Sequence, residues 1–511
     1  MDRSDFIKTT GLFLSGITVS GTGLIGYSEE NKINEDHLKM LAPFDEFVSY
    51  DALGLAELIK KKDISPTELV EVIIKRIEYI NPKINCLATF CFERARKKAQ
   101  NFYINSTFSG VPILIKDMID VGGVRRTDGS ILMSSNIPQK NVAYIDALEK
   151  SGLNILGITT VPEFASGFES ELFGKTRNPW DLDYTCLGSS AGAAASVASG
   201  ILPLAHGTDG GGSNRLPSHA CGLFGFKPSR NRMLSGESYG GHDLFKTNNS
   251  ISRTVRDCAA LFNETEDKSS KFFEPIGLVE NPIKRKLKIA YAREGVKGFP
   301  IQSSIIEEID EVAKSLESLG HQITIIEHPI DGNEFFDNYR FAFLPKFLPL
   351  LDMVKNISGK GATDSKLISY WTSSMIDMAS HYKPQEIQAG KNYFAKPENL
   401  YGDLFKEYDV LLSAVTPMET PKFGVLSPTD DFKSKGEIFE KVMSLTAPTN
   451  AAGCCAMSVP LSRSKRTNMP IGSMFQAKSG DDRLLLELAY QLEEFKPWRD
   501  NWAPNSINFK Y

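Results

Sequence analysis

The stretch Leu187–Arg232, LGSSAGAAASVASGILPLAHGTDGGGSNRLPSHACGLFGFKPSRNR, holds two serines in glycine-rich turns, Ser189 and Ser213, 24 positions apart. Gly210, Gly211 and Gly212 run directly into Ser213. Glycine tolerates positive φ and close backbone approach, so successive N–H groups can face one concavity and bind an anion. A hydroxyl beside such donors meets both needs of acyl transfer: a nucleophile, and a place for the oxyanion that its attack creates. Between the turns, Ala191–Ser199 reads as a helix of small residues. Ile201–His206 reads as an apolar strand feeding the second turn.

A hydroxyl needs a base. Upstream lies Gly110-Val111-Pro112-Ile113-Leu114-Ile115-Lys116-Asp117, an apolar, partly β-branched run that reads as a buried strand carrying Lys116 to its end. A desolvated lysine loses basicity and can act as a neutral base. Lys116 could then take a proton from Ser189, and Ser189 one from Ser213.

These residues resemble the amidase signature family, whose members hydrolyse amides with a Ser–cis-Ser–Lys triad. Lys116 sits in a GVP-x-x-x-KD element, Ser189 matches the bridging serine of a GGSSGG-like turn, and Ser213 ends a GTD-x-GGS run. The separation of Lys116 and Ser189, 73 positions, also fits. The resemblance implies that Ser213 is the nucleophile and that the backbone from Gly210 to Ser213 supplies the oxyanion donors. It implies that Asp209 and Arg215 form a structural pair around the turn, and that neither metal nor organic cofactor is needed. It covers about Tyr50 to Trp498. Within the family, the strings at 81–85, 169–180 and 371–373 are most similar to the aminohexanoate cyclic-dimer hydrolase branch. Two glycines of the usual turn are replaced, by Leu187 and Ala191, and Asn214 stands where an apolar residue is usual.

The implied fold is α/β: a large, mixed, mostly parallel central sheet flanked by helices on both faces, with a helical cover over about residues 330–405. That segment is rich in aromatics, among them Phe335, Tyr339, Phe343, Tyr370 and Trp371. Residues 31–511 are expected to form one domain. Strands and helices alternate on either side of the cover, as in a helix-flanked sheet. Ser65-Pro66-Thr67-Glu68 is a capping box opening a helix that should stop before Pro82.

Hydrophobic content of 41% and charged content of 24% in 511 residues are ordinary globular values. A net charge of −5 argues against a nucleic-acid surface. The seven cysteines form no CxxC and the seven histidines no HExxH, so buried reduced thiols are expected and no metal site. Residues 1–30 combine Arg3-Ser4-Asp5-Phe6-Ile7-Lys8 with a short apolar run, resembling a degenerate twin-arginine export signal. A disordered extension is the competing reading, so the chain reads as cytoplasmic or exported. No stretch is long and apolar enough for a membrane span.

Three further readings compete. Gly188-Ser189-Ser190-Ala191-Gly192 matches the G-x-S-x-G elbow, with Ser190 as nucleophile, but a poor strand precedes it and Lys116 is left unexplained. The same core could serve an amidotransferase subunit that releases ammonia from glutamine for tRNA-dependent amidation. A non-catalytic binding relative is disfavoured by the intact triad. Asp117 reads as a loop-capping carboxylate, and Arg125-Arg126 as solvated or, alternatively, as contacts for an acidic substrate. The favoured expectation is a small-molecule amidohydrolase for linear or cyclic amides, with a homodimer compatible with the resemblance.

Overall fold

The structure, a computed structural model, describes residues 46–102, 105–237 and 244–507, which lie within one compact unit, Pro43–Tyr511. The expectation about residues 1–30 lies outside the described residues.

The first long helix, α1 (Pro66–Ile84), starts as its capping box dictates. Ser65 Oγ accepts from the Glu68 N–H at 3.1 Å, and the Glu68 carboxylate accepts from the Ser65 N–H at 2.9 Å. Leu69, Ile73, Ile77 and Ile80, spaced at helical intervals, are buried. The helix runs through Pro82 rather than stopping before it. What ends it is Asn85, in the left-handed conformation, with its N–H donated to Asn81 O at 2.8 Å.

Three strands follow: β1 (Leu87–Phe90), β2 (Pro112–Lys116) and β3 (Asn154–Thr159), paired in the order β1-β3-β2. β2 and β3 are parallel and fully buried, as their continuous apolar runs require. Next comes α2 (Ala191–Ala198), every residue of which is buried. Its small side chains permit very close packing: a Cβ on Gly192 would lie 2.4 Å from Cys86 O.

β4 (Leu204–Asp209), α3 (Arg215–Cys221), β5 (Phe224–Lys227), β6 (Thr247–Ser252), α4 (Val255–Thr265), β7 (Lys288–Tyr291) and β8 (Gln322–Ile325) come next. They are followed by α5 (Gly332–Phe343), α6 (Tyr370–Ser380), β9 (Val410–Ala414), α7 (Phe432–Met443), β10 (Cys455–Arg463), β11 (Pro470–Ala477) and α8 (Asp482–Phe495). The eight strands β4 to β11 make one sheet in the order β8-β7-β9-β11-β10-β5-β6-β4.

The sheet is large and mixed, as expected, but not mostly parallel. Only β8, β7 and β9 run parallel to one another; every other neighbouring pair is antiparallel. The reason is topological. β4 and β5 are parallel to each other through α3, yet β6 inserts between them and makes both pairings antiparallel. β10 and β11 form a hairpin in the middle of the sheet. Alternation of strands and helices along the chain reveals the crossovers and is blind to such insertions.

Residues 332–407 are helical except for a loop over 359–369, with α5 and α6 among five α-helices and one short 3-10 turn, Leu344–Phe347. The start of α6 is tied to the body by the buried carboxylate of Glu163. It accepts from Ser369 N (2.9 Å), Thr372 Oγ1 (2.6 Å) and Ser130 Oγ (2.6 Å). All seven cysteines are buried free thiols.

Candidate active site

Lys116 ends β2 with its side chain wholly buried. Its Nζ lies 2.8 Å from Ser189 Oγ, 2.8 Å from Thr208 Oγ1 and 3.3 Å from Thr208 O. Its backbone N–H donates to His206 Nδ1 on β4 at 3.3 Å, which joins the small sheet to the large one. Burial pushes the Lys116 ammonium well below the usual lysine range; Asp209 opposes that shift and Lys246 adds to it. His206, equally buried, is pushed down to about 3 by desolvation and is neutral.

Ser189 precedes α2 and is joined to Gly188 by a cis peptide bond. Ser213 stands between β4 and α3, at the end of the glycine turn. Both serines open on one cavity of about 200 Å³, together with Gly188, Thr208, Gly210 and Gly211. The spacing Lys116–Ser189–Ser213 thus becomes one site in space.

The turn before Ser213 is locked from below by Asp209 and Arg215, both fully buried. Arg215 Nε and Nη2 each stand 3.0 Å from a carboxylate oxygen of Asp209. Asp209 also accepts from the N–H groups of Gly212 (2.8 Å) and Asn214 (3.2 Å) and from Asn450 Nδ2 (2.9 Å). Arg215, foremost among charged partners, holds the Asp209 carboxyl below the usual carboxylate range against the cost of burial.

This network corrects one sequence expectation. The Gly212 N–H points at Asp209 and is not available as an oxyanion donor. Gly212 is buried and outside the cavity wall; it adopts φ +126°, and a Cβ there would lie 2.3 Å from Thr446 Oγ1. Gly210, Gly211 and Ser213 do line the cavity.

Ser190 is fully buried with its hydroxyl 3.3 Å from Thr208 O and 3.4 Å from Asn214 Oδ1, and it does not line the cavity. The elbow reading therefore loses its nucleophile. Asn214 links the two serine turns through Ser190 and donates to Phe226 O at 3.3 Å, a polar role for its unusual side chain. Leu187 and Ala191 are buried and line no part of the cavity, so they do not close it. Asp117 caps its loop, accepting from Thr127 N at 2.8 Å and from Thr127 Oγ1; burial pushes it up to about 6. Arg126 is ion-paired with Asp120 and Asp128, and Arg125 donates to Ala88 O at 3.0 Å; neither lines the cavity.

Other wall residues were legible only in part. Phe245, Lys246, Tyr339, Phe343, Lys346 and Met443 come from three separate regions of the chain. Tyr339 and Phe343 belong to the expected cover, which reaches the site through α5. Asn450 and Thr446 brace the nucleophile turn from the segment after α7, Thr446 Oγ1 donating to Gly211 O at 2.6 Å. No residue in those segments carries a local signal for such a role. Among the described residues no cluster of His, Cys, Asp or Glu is placed to hold a metal ion, and no helix is long and apolar enough to cross a membrane.

A buried lysine against a serine, beside a second serine in a glycine turn, brings together the base and hydroxyls that acyl transfer needs. The comparisons agree: the Amidase family matches residues 68–486. The chain belongs to the amidase family, in its amidase-signature fold. It is 33% identical to the protein named "Putative amidase AmiC" of Mycobacterium tuberculosis, over 90% of this chain and 98% of that one. It is 28% identical to the 6-aminohexanoate-cyclic-dimer hydrolase of Paenarthrobacter ureafaciens, over 88% and 95%. A solved 6-aminohexanoate cyclic dimer hydrolase, in complex with substrate, superposes with a TM-score of 0.80 at 26% identity, over 89% of this chain and 99% of that one.

Proposed function

We propose that this enzyme hydrolyses small linear or cyclic amides through an acyl-enzyme on Ser213, with Ser189 and Lys116 as the proton relay. The observation that carries the reading is the fully buried Lys116 Nζ, 2.8 Å from Ser189 Oγ, in a cavity that Ser189 shares with Ser213. A neutral amine at that point has a lone pair for the Ser189 proton and N–H donors for Thr208. Burial supplies the neutrality.

The Ser213 hydroxyl gives its proton to Ser189 as Ser189 gives its own to Lys116. The Ser213 oxygen bonds to the amide carbon, and the oxyanion is held by backbone N–H groups of Gly210, Gly211 and Ser213. The relay runs backward to protonate the amide nitrogen, the C–N bond breaks, and the amine leaves. Water, deprotonated by the same relay, cleaves the ester and releases the acid. The likeness to the cyclic-dimer hydrolases supports small amides, and a cavity of about 200 Å³ accommodates them.

The test is labelling with a serine-directed fluorophosphonate, followed by mass spectrometry and peptide mapping. A single adduct on Ser213, lost in Ser213→Ala and strongly slowed in Lys116→Ala, is the expected result. An adduct on Ser190, or amide turnover surviving in Ser213→Ala, overturns the assignment.

A further inference from the structure

Lys116 is held at both ends by one strand. His206 and Thr208 are two positions apart on β4, so their side chains stand on the same side of it. Thr208 Oγ1 meets the Lys116 Nζ at 2.8 Å, and His206 Nδ1 accepts from the Lys116 backbone N–H at 3.3 Å. His206 is wholly buried and is not part of the cavity wall, so whatever it does for the reaction it does through Lys116.

The ring is itself fixed from two sides. Its centre lies 5.3 Å from that of Tyr144, at a tilt of 47°. Its Nε2 stands 3.4 Å from Asn248 Oδ1 on β6, a residue that pairs with Thr208 in the ladder and approaches His206 diagonally. A neutral imidazole has one donor and one acceptor. With Nδ1 accepting from Lys116, the proton belongs on Nε2, where Asn248 Oδ1 receives it. An imidazolium, with two donors and no acceptor, could not hold the Lys116 N–H, and burial keeps the ring neutral.

The relay requires Nζ at hydrogen-bond distance from Ser189 Oγ, and a displacement of about 1 Å in such an arrangement can cost on the order of 10² in rate. We propose that His206 is a positioning residue for the base. Its Nδ1 fixes the Lys116 backbone at the end of β2, and with it the place of Nζ between Ser189 and Thr208, while Asn248 selects the tautomer that makes Nδ1 an acceptor. The proposal deepens the acyl-enzyme reading and rests on it.

The experiment uses the full chain and three variants. Asn carries an oxygen on Cγ, where His carries Nδ1; Gln carries its oxygen one carbon further out, toward the place of Nε2. His206→Asn therefore keeps the acceptor for Lys116 and His206→Gln does not, although both are polar and of similar size. With p-nitroacetanilide, kcat should stay within about three-fold of wild type in His206→Asn and fall by at least about ten-fold in His206→Gln and His206→Leu, with KM changed by less than about three-fold throughout. The rate of fluorophosphonate labelling at Ser213 should follow the same order, and it reads the relay whichever amide is used. Melting curves report folding separately.

Equal losses in His206→Asn and His206→Gln overturn the proposal, as does a lowered Tm in His206→Leu with kcat and labelling unchanged. If His206→Leu does not fold, the Asn and Gln variants decide between them. Failure of the wild type to label at Ser213 defeats the catalytic assignment on which the proposal stands. A labelled wild type with Asn and Gln variants that react alike defeats the role of His206 alone.

Discussion

At the residue scale, the chemistry turns on the charge of Lys116. Its base form is the neutral amine, so kcat/KM for a neutral amide should fall about ten-fold per pH unit on the acid side of its folded pKa. Lys246 pushes that pKa down; removing the like charge in Lys246→Met should raise it and move the acid limb to higher pH. A pH–rate profile of the two proteins checks the sign. Stability carries the same signature. Between the depressed folded pKa and the ordinary 10.5, the unfolded state binds more protons, so stability rises with pH across that window. Lys116→Met should remove that slope, and its Tm relative to wild type should be higher at pH 7 than near pH 10. Gly212 makes a second case. Its φ of +126° and the nearby Thr446 Oγ1 leave no room for a methyl group. Gly212→Ala should cost about 1–3 kcal/mol in denaturant titrations and lower turnover by about 10² or more through displaced oxyanion donors.

At the level of the element, the turn from β4 to α3 is held by the buried Asp209–Arg215 pair rather than by its own sequence preference. Asp209→Asn leaves the Arg215 guanidinium without its carboxylate, and urea unfolding should show a loss of about 3–5 kcal/mol. The capping box of α1 is a milder test: Ser65→Ala should cost about 1 kcal/mol with activity untouched. How well the elements could be read from the chain follows from what marks them. α1 carries a capping box and helical spacing, and β2 an unbroken apolar run, so the start of the one and the end of the other were anticipated, while α1 runs on through Pro82 to Ile84. β6 was invisible. Thr247–Ser252 is polar but for Ile251, yet every residue is buried, because it fills the space between β4 and β5. Hydrophobic patterning cannot detect a strand whose burial comes from its neighbours. The Gly212 N–H failed as an oxyanion donor for a related reason. Composition placed three glycines at the site, but the direction of each N–H is decided by Asp209, and that appears only in three dimensions.

At the scale of the whole molecule, the cavity is closed by parts that meet only on folding. α5 and α7 form neighbouring walls and are joined by Arg340 and Glu440, whose paired contacts are both 2.6 Å. Glu440 is nearly buried, and burial raises its carboxyl while Arg340 opposes the rise. Arg340→Met should cost about 2 kcal/mol, since Arg340 itself is partly exposed. It should also raise KM more than it lowers kcat, as the walls separate while the serines stay in place. Steady-state kinetics with one amide measures that split. The core motif was legible because its residues are close in sequence and each type has a reason to be there. Of the walls only the aromatic cover around Tyr339 and Phe343 was legible, because Phe245 and Met443 are ordinary core residues until the fold brings them together.

The three residues assigned to chemistry lie between 116 and 213, while α5 and α7 and the turn bearing Lys346 lie between 332 and 443. The reacting groups and a large part of the wall that faces them are thus written on different lengths of chain, although Phe164, Phe168, Phe245 and Lys246 join the wall from the earlier one. A lineage can change what it degrades by altering the later segment alone, with the reacting groups shielded from the experiment. By the same logic, a chimera that takes residues 330–445 from a cyclic-dimer hydrolase should inherit that donor's preference among amides and keep this protein's dependence on pH.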